Sequence, residues 1–185
     1  MATAEPAPRL PNRPRSELSG EDAVAYDHVM ATRKLGFMPN LFAVMAHRPG
    51  ALRAVAAVGE HVRFHSAIEP ELGEAVICHV AQILGNRYEW CHHIHRVPEA
   101  LRSRIGTPAA EAEPAPAGPA LRYARLLAEG EEPGDALVAE LRHSLGAAGL
   151  VDLTVMVGYY QLVGSFCAAL KVPLEEDVEE IPYNR

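Results

Sequence analysis

Cysteine is scarce in this 185-residue chain, with three residues, Cys78, Cys91 and Cys167, and no Cys-x-x-Cys pair. An odd, scattered set excludes a disulfide framework and fits a reducing, cytoplasmic setting. Basic residues are outnumbered 17 to 24, and a formal net charge of -7 argues against a nucleic-acid partner. The N-terminus lacks the apolar core of a secretory signal. No uninterrupted apolar run is long enough to span a bilayer. Residues 151–170 come nearest, but Asp152, Gln161 and Ser165 mark them as a buried soluble helix, so no membrane partner is expected. No segment alternates with the period of two that a strand needs.

What is present is helical pattern. A hydrophobic share of 49% with 22% charged is ordinary for a globular domain, and the length suffices for one sizeable core. The expected fold class is all-α, a bundle of roughly six to nine helices. Residues 1–15, with Pro6, Pro8, Pro11 and Pro14, read as a disordered or extended arm, free to lie along a partner subunit. Residues 16–173 read as a single helical domain. Within it, 107–119 is Pro/Ala-rich and reads as a flexible linker. Residues 174–185 read as an extended acidic tail. The patterns of 74–88 and 152–166 superpose, a weak sign of an internal helix repeat.

Chemistry concentrates where two helical patterns meet, across residues 70–93. At 100° per residue, Glu74 lies at the border of the apolar arc formed by Leu72, Val76, Ile77, Val80, Ile83 and Leu84. A carboxylate there needs a partner, because burying it alone is costly. In the next helix Trp90, Ile94 and Val97 form the inward stripe. Glu89 and His93, four apart, share one shoulder of it, and Cys91 the other. Two carboxylates and a histidine can therefore converge, with the carboxylate setting the tautomer of the ring. The same spacing is met by a plain intrahelical ion pair worth a few tenths of a kcal/mol.

Three chemistries compete for these residues. A metal reading has His61 with His65, and the motifs Glu89-x-x-His92 and Glu140-x-x-His143. His92 and His143 point away from their apolar faces, and His61 and His65 read as a solvated stripe, so no metal site and no cofactor are expected. A thiol reading needs an electropositive, partly exposed cysteine, and Cys91 beside His92 is the one candidate for a reactive thiol. An acid–base reading makes His93 the proton donor or acceptor, tuned by Glu89 and Glu74, and such catalysis contributes about 10² to 10⁴ in rate.

The run from Glu74 through Gly85, Tyr88-Glu89-Trp90 and His93 resembles the carboxymuconolactone decarboxylase family, which also contains the alkylhydroperoxidase D-like proteins. Peroxidase members carry Cys-x-x-Cys between the glutamate and the histidine. Those positions are Asn86 and Glu89 here, so the chain is similar to a Tyr-Glu-Trp branch without that motif. The Gly-Phe-Met-Pro-Asn run at 36–40 and the Tyr159-Tyr160 helix are similar to longer members of the group. The resemblance implies an alkylhydroperoxidase D-like helical bundle, homotrimeric or homohexameric, acting on a small-molecule substrate. It implies a lyase of aromatic-compound catabolism: a cofactor-free decarboxylation or isomerisation of a small lactone or carboxylic acid. His93 would be the general acid/base, Glu89 its orienter and Glu74 a second carboxylate, with Tyr88, Trp90 and Asn86 shaping the pocket. An anionic substrate would want arginines, and Arg63, Arg87 and Arg96 are at hand. Two alternatives stand beside it: a peroxiredoxin-like antioxidant using Cys91, and a non-catalytic accessory oligomer. Cys91 falls two residues past the family's second cysteine, turned about 200° around the helix.

Overall fold

Proline and glycine punctuation divides the chain into helices that the apolar pattern then packs. The computed structural model describes residues 7–34 and 36–184; within them the helices are α1 (Gly20–Arg33), α2 (Asn40–Met45), α3 (Pro49–Phe64), α4 (Pro70–Leu84), α5 (Arg87–His93), α6 (Glu99–Arg102), α7 (Pro108–Glu111), α8 (Ala117–Glu129) and α9 (Asp135–Leu170). No strand occurs among the described residues, so the fold is all-α as expected.

The centre of the molecule is α4, packed on α8 and α9, which also pack on each other; α1 lies on α3, and α5 on α4. Helix α4 is nearly encircled by protein: Ala75, Val76, Ile77, Cys78, Val80 and Ala81 are buried. Fully burying each valine or isoleucine contributes about 1.5–3 kcal/mol, so this helix is anchored in the core. Pro70 occupies its first turn, where no backbone donor is lost. Gly85, at φ 66°, closes the other end in the left-handed conformation that glycine adopts without cost. The chain then reverses directly into α5, whose first turn is capped by Asn86 Oδ1 accepting from the Glu89 amide at 3.3 Å. This αL turn brings Glu74 on α4 against His93 on α5.

Helix α9 is long and apolar enough to cross a membrane by composition alone, yet it is broken at Gly146 (φ 71°, ψ 176°). Its Leu141, Leu153, Met156, Val157, Tyr160 and Val163 are buried against the other helices.

The linker expected at 107–119 is instead folded. It carries α7 and the start of α8, with Ala110 fully buried and the Glu111 carboxylate accepting from Arg125 at 2.8 Å. The composition misleads because alanine and glycine here permit close approach rather than freedom. A Cβ on Gly118 would stand 2.1 Å from the Glu113 carbonyl oxygen.

Of the expected N-terminal arm, residues 1–6 lie outside the described residues. Residues 7–14 are non-helical but tied to their own chain: the Arg9 amide donates to the Leu170 carbonyl at 2.9 Å, and the Arg13 amide to that of Ala43 at 3.0 Å; Arg15 opens a short 3-10 turn, Arg15–Glu17. The tail after α9 is non-helical, and it too is fastened down. Asn184 exchanges hydrogen bonds with the Gln82 side chain, and its amide nitrogen donates to the Arg102 carbonyl at 2.6 Å.

Candidate active site

Glu74, Glu89 and His93 meet. Glu74 Oε2 stands 2.6 Å from His93 Nδ1, and Glu89 Oε2 stands 3.4 Å from Nε2. Glu89 and His93 are buried at 4% and 5% exposure, so contacts between them are little screened by bulk water. Glu89, expected to orient the ring, holds the longer of the two contacts. The short contact that fixes the ring comes from Glu74, across helices, and the neighbour four residues away holds the looser one. Helix geometry explains this: an i,i+4 pair is kept at the helix surface spacing, whereas α4 and α5 pack directly on each other.

A fourth group completes the cluster. Arg63, near the end of α3, places Nη1 3.3 and 3.4 Å from the two ring nitrogens of His93 and Nη2 3.6 Å from Glu74 Oε1. Two acids and one guanidinium thus surround the imidazole. Burial would raise the Glu74 carboxyl, but the His93 hydrogen bond and the charges of His93 and Arg63 outweigh it and hold Glu74 below its ordinary range. Burial acts against the Arg63 charge as well, and Tyr160, Glu74 and Glu89 more than offset it. The His93 ring meets Tyr160 edge-on with centroids 5.5 Å apart. Burial pushes the Tyr159 hydroxyl up to about 12 and Tyr160 higher still, so both stay protonated.

The cluster opens onto a cavity of about 450 Å³ that His93, Glu89, Arg63 and Tyr160 line together with Phe42 and Phe64. Glu74 does not line it: it lies behind the histidine. Arg33 and Arg96 also face this space. The Arg33 guanidinium lies over the rings of Phe42 and Phe64, 5.2 and 5.9 Å from their centroids, with no carboxylate partner among the described residues. Gly59 makes room for it: a Cβ there would stand 2.5 Å from Arg33 Nη2 and 2.2 Å from the Tyr159 hydroxyl. Arg87 does not reach the cavity and pairs with Glu180 at 2.7 Å.

Two expected pocket residues lie elsewhere. Trp90 is 1% exposed and packs 5.5 Å from the Tyr183 ring, inside the core. Asn86 lines a separate cavity of about 110 Å³ with Cys167 and Val172, and its amide nitrogen lies where a Cβ on Gly164 would stand 2.4 Å away. Both misplacements follow from the brevity of α5, whose seven residues are turned by their cap rather than by a long apolar face. Tyr88 does line the cavity.

Cys91 lines the cavity but is 3% exposed, with the Ile181 amide donating to its Sγ at 3.4 Å. Burial pushes its thiol up, the opposite of what a nucleophilic cysteine needs. The histidine beside it is engaged: His92 Nε2 lies 2.7 Å from Glu175 Oε2 and Nδ1 lies 2.6 Å from the Tyr88 carbonyl. His61 meets Asp152 at 2.8 Å rather than His65, and no group of metal-ligating side chains occurs among the described residues. The superposable patterns of α4 and α9 thus each place an acid against a histidine.

Glu175 was not foreseen. Its carboxylate accepts from Tyr88 Oη at 2.7 Å and from the Asn40 amide at 2.7 Å, besides meeting His92. Burial would raise this carboxyl, but His92, Tyr88 and Asn40 hold it below its ordinary range. Burial would lower His92, but Glu175 and the Tyr88 carbonyl raise it. The depressed acid contributes stability that is present above its unfolded value and lost as pH falls through its folded one. The raised histidine contributes stability that is present below its unfolded value and lost as pH rises through its folded one. Protection of the 175–184 amides from hydrogen exchange is therefore expected to be greatest between the ordinary carboxylate and histidine ranges. A flat profile, matching that of Glu175→Gln, would contradict the pairing.

Comparison with known proteins comes down to fold. No protein-family model matches the chain, and no curated protein matches it. Solved structures do. An uncharacterized peroxidase-related protein from Silicibacter sp. TM1040 superposes with a TM-score of 0.76 at 17% identity over 100% of both chains. The alkylhydroperoxidase AhpD core of a peroxidase-related protein from Ralstonia eutropha JMP134 gives 0.72 at 16% identity over 94% of this chain and 95% of that one. The debrominase Bmp8 gives 0.71 at 17% identity over 86% of this chain and 90% of that one. This chain therefore has the AhpD-like helical fold.

Proposed function

We propose that this protein is a cofactor-free acid–base enzyme that decarboxylates or isomerises a small lactone or carboxylic acid in the His93 cavity. The observation that carries the reading is the histidine held at Nδ1 by a buried carboxylate, 2.6 Å away, with its other face on a largely apolar cavity. Such an imidazole is fixed in orientation, and Nε2, whose contact with Glu89 is the longer one at 3.4 Å, is the nitrogen that acts on a substrate. An anionic substrate is supported by three guanidinium groups on the cavity wall, Arg33, Arg63 and Arg96, of which Arg33 has no counter-ion among the described residues.

In the decarboxylation form, the carbon–carboxylate bond of an acid activated by a neighbouring carbonyl breaks. Its electron pair passes into the carbonyl as an enolate, and carbon dioxide departs. The Arg63 guanidinium stabilises the developing negative charge. Nε2 of His93 delivers a proton to the carbon, and the imidazole is reprotonated from water, with Glu74 holding its tautomer. Isomerisation uses the same proton donor without the loss of carbon dioxide. The burial of Glu89 and His93 strengthens these interactions.

The thiol alternative is weakened by the shielded, hydrogen-bonded Cys91 and its raised thiol. Carbon dioxide release from a panel of unsaturated lactone acids and β-keto acids tests the proposal. Release by wild type and by Cys91→Ser alike is expected. Hydroperoxide turnover that disappears on Cys91→Ser, without release from any acid, would replace this reading with the peroxidase one.

A further inference from the structure

The cavity has a wall that comes from the end of the chain. Asp177, Val178, Glu179 and Ile181 face it, although this stretch reads in the sequence as an extended acidic tail. The wall is fastened at both ends. At its start the Glu175 carboxylate, 8% exposed, takes the three contacts already described, from α2, from Tyr88 and from His92. At its finish Asn184 is bonded to Gln82 and to the Arg102 and Ile105 carbonyls. Between these, the Ile181 amide donates to Cys91 Sγ, and the Tyr183 ring covers Trp90.

We propose that residues 175–184 are a built wall of the substrate cavity and that Glu175 is the positioning residue that holds them there. The inference rests on the reading of this cavity as the substrate site. Three hydrogen bonds to one buried carboxylate are more than a solvated tail would keep, because ordering each residue costs about 1–2 kcal/mol of backbone entropy. Glu175 also sets the cavity from behind, since Tyr88 and His92, whose rings stack 4.3 Å apart, are both held by it. The chemistry of the wall selects its ligand. Val178 and Ile181 receive an apolar body, while Asp177 and Glu179 repel a carboxylate and turn it toward Arg33 and Arg63.

Trp90 is the single tryptophan of the chain, so its fluorescence reports on the wall directly. Acrylamide quenching and titration with anilinonaphthalene sulfonate, both on the full chain, are compared for wild type, Glu175→Gln, Glu175→Ala and Asn184→Ala. Asn184→Ala acts at the far end of the strap, so it serves if Glu175→Ala loses its helical circular dichroism. Glu175→Ala and Asn184→Ala should expose Trp90 to quencher and weaken probe binding about tenfold, the change expected when burial of one apolar side chain is lost. Glu175→Gln, which keeps the hydrogen-bonding shape, should restore most of the shielding. With a substrate in hand, Glu175→Ala should raise KM with little change in kcat, as for an interaction made equally before and during reaction, and Glu175→Gln should bring KM back toward wild type. Unaltered quenching and probe affinity in both folded variants would overturn the proposal. The controls separate the two readings: His93→Gln is expected to leave quenching unchanged while turnover falls, and full turnover in His93→Gln would remove the acid–base reading without touching the wall.

Discussion

Replacement of His93 by glutamine is expected to lower turnover by about 10² to 10⁴ with the helical content unchanged. The side chain is similar in size and can still accept and donate hydrogen bonds, so Glu74 and Arg63 keep a partner of similar shape. What is lost is an imidazole able to give and take a proton. Glu74→Gln should produce a loss of the same order, because the 2.6 Å contact to Nδ1 is what holds the ring and its tautomer. The double variant should be little worse than either single one, since residues acting as a unit are non-additive. Steady-state rates for the two single variants and the double provide the test. A double variant whose losses multiply would show that Glu74 and His93 act separately.

Trp90→Ala is expected to cost about 3–5 kcal/mol of folding stability, the usual range for deleting a fully buried tryptophan. That is a large share of the total of about 5–15 kcal/mol that holds a domain together. The ring is 1% exposed and packs on Tyr183, and its Nε1 has no hydrogen-bond acceptor among the described residues. Trp90→Phe should therefore recover most of the loss, because no hydrogen bond is sacrificed. Urea unfolding midpoints measure both. A Trp90→Ala protein of unaltered midpoint but raised KM would return this residue to the pocket wall.

These two residues mark how far the sequence could be read. The 3.6-residue pattern of Leu72, Val76, Ile77 and Val80 places α4, and Gly85 places the turn into α5. Those local features are enough to foresee Glu74, Glu89 and His93 together. The assignment of roles within the trio was not legible, because it depends on the distance between two packed helices, while spacing reports only on neighbours along one. Trp90 and Asn86 were misplaced for a related reason: α5 has seven residues, too few for its apolar face to fix a rotation. Arg63 and Arg33 come from α3 and α1, and no local pattern joins them to His93. Glu175 is the hardest case. In sequence it is one acid among several in a proline-marked tail, and only the fold singles it out by meeting Asn40, Tyr88 and His92 at once. The 107–119 stretch shows the reverse error, where low-complexity composition hid a close-packed contact at Gly118.

The central claim is that His93 moves a proton to a carbon atom of a substrate held in this cavity, and deuterium uptake reads that step directly. Products formed in heavy water from an accepted lactone or keto acid should carry deuterium at the carbon that lost or shifted its bond. Incorporation should be rapid with wild type and with Cys91→Ser, and slower by about 10² or more with His93→Gln. Incorporation by His93→Gln at the wild-type rate would contradict the account.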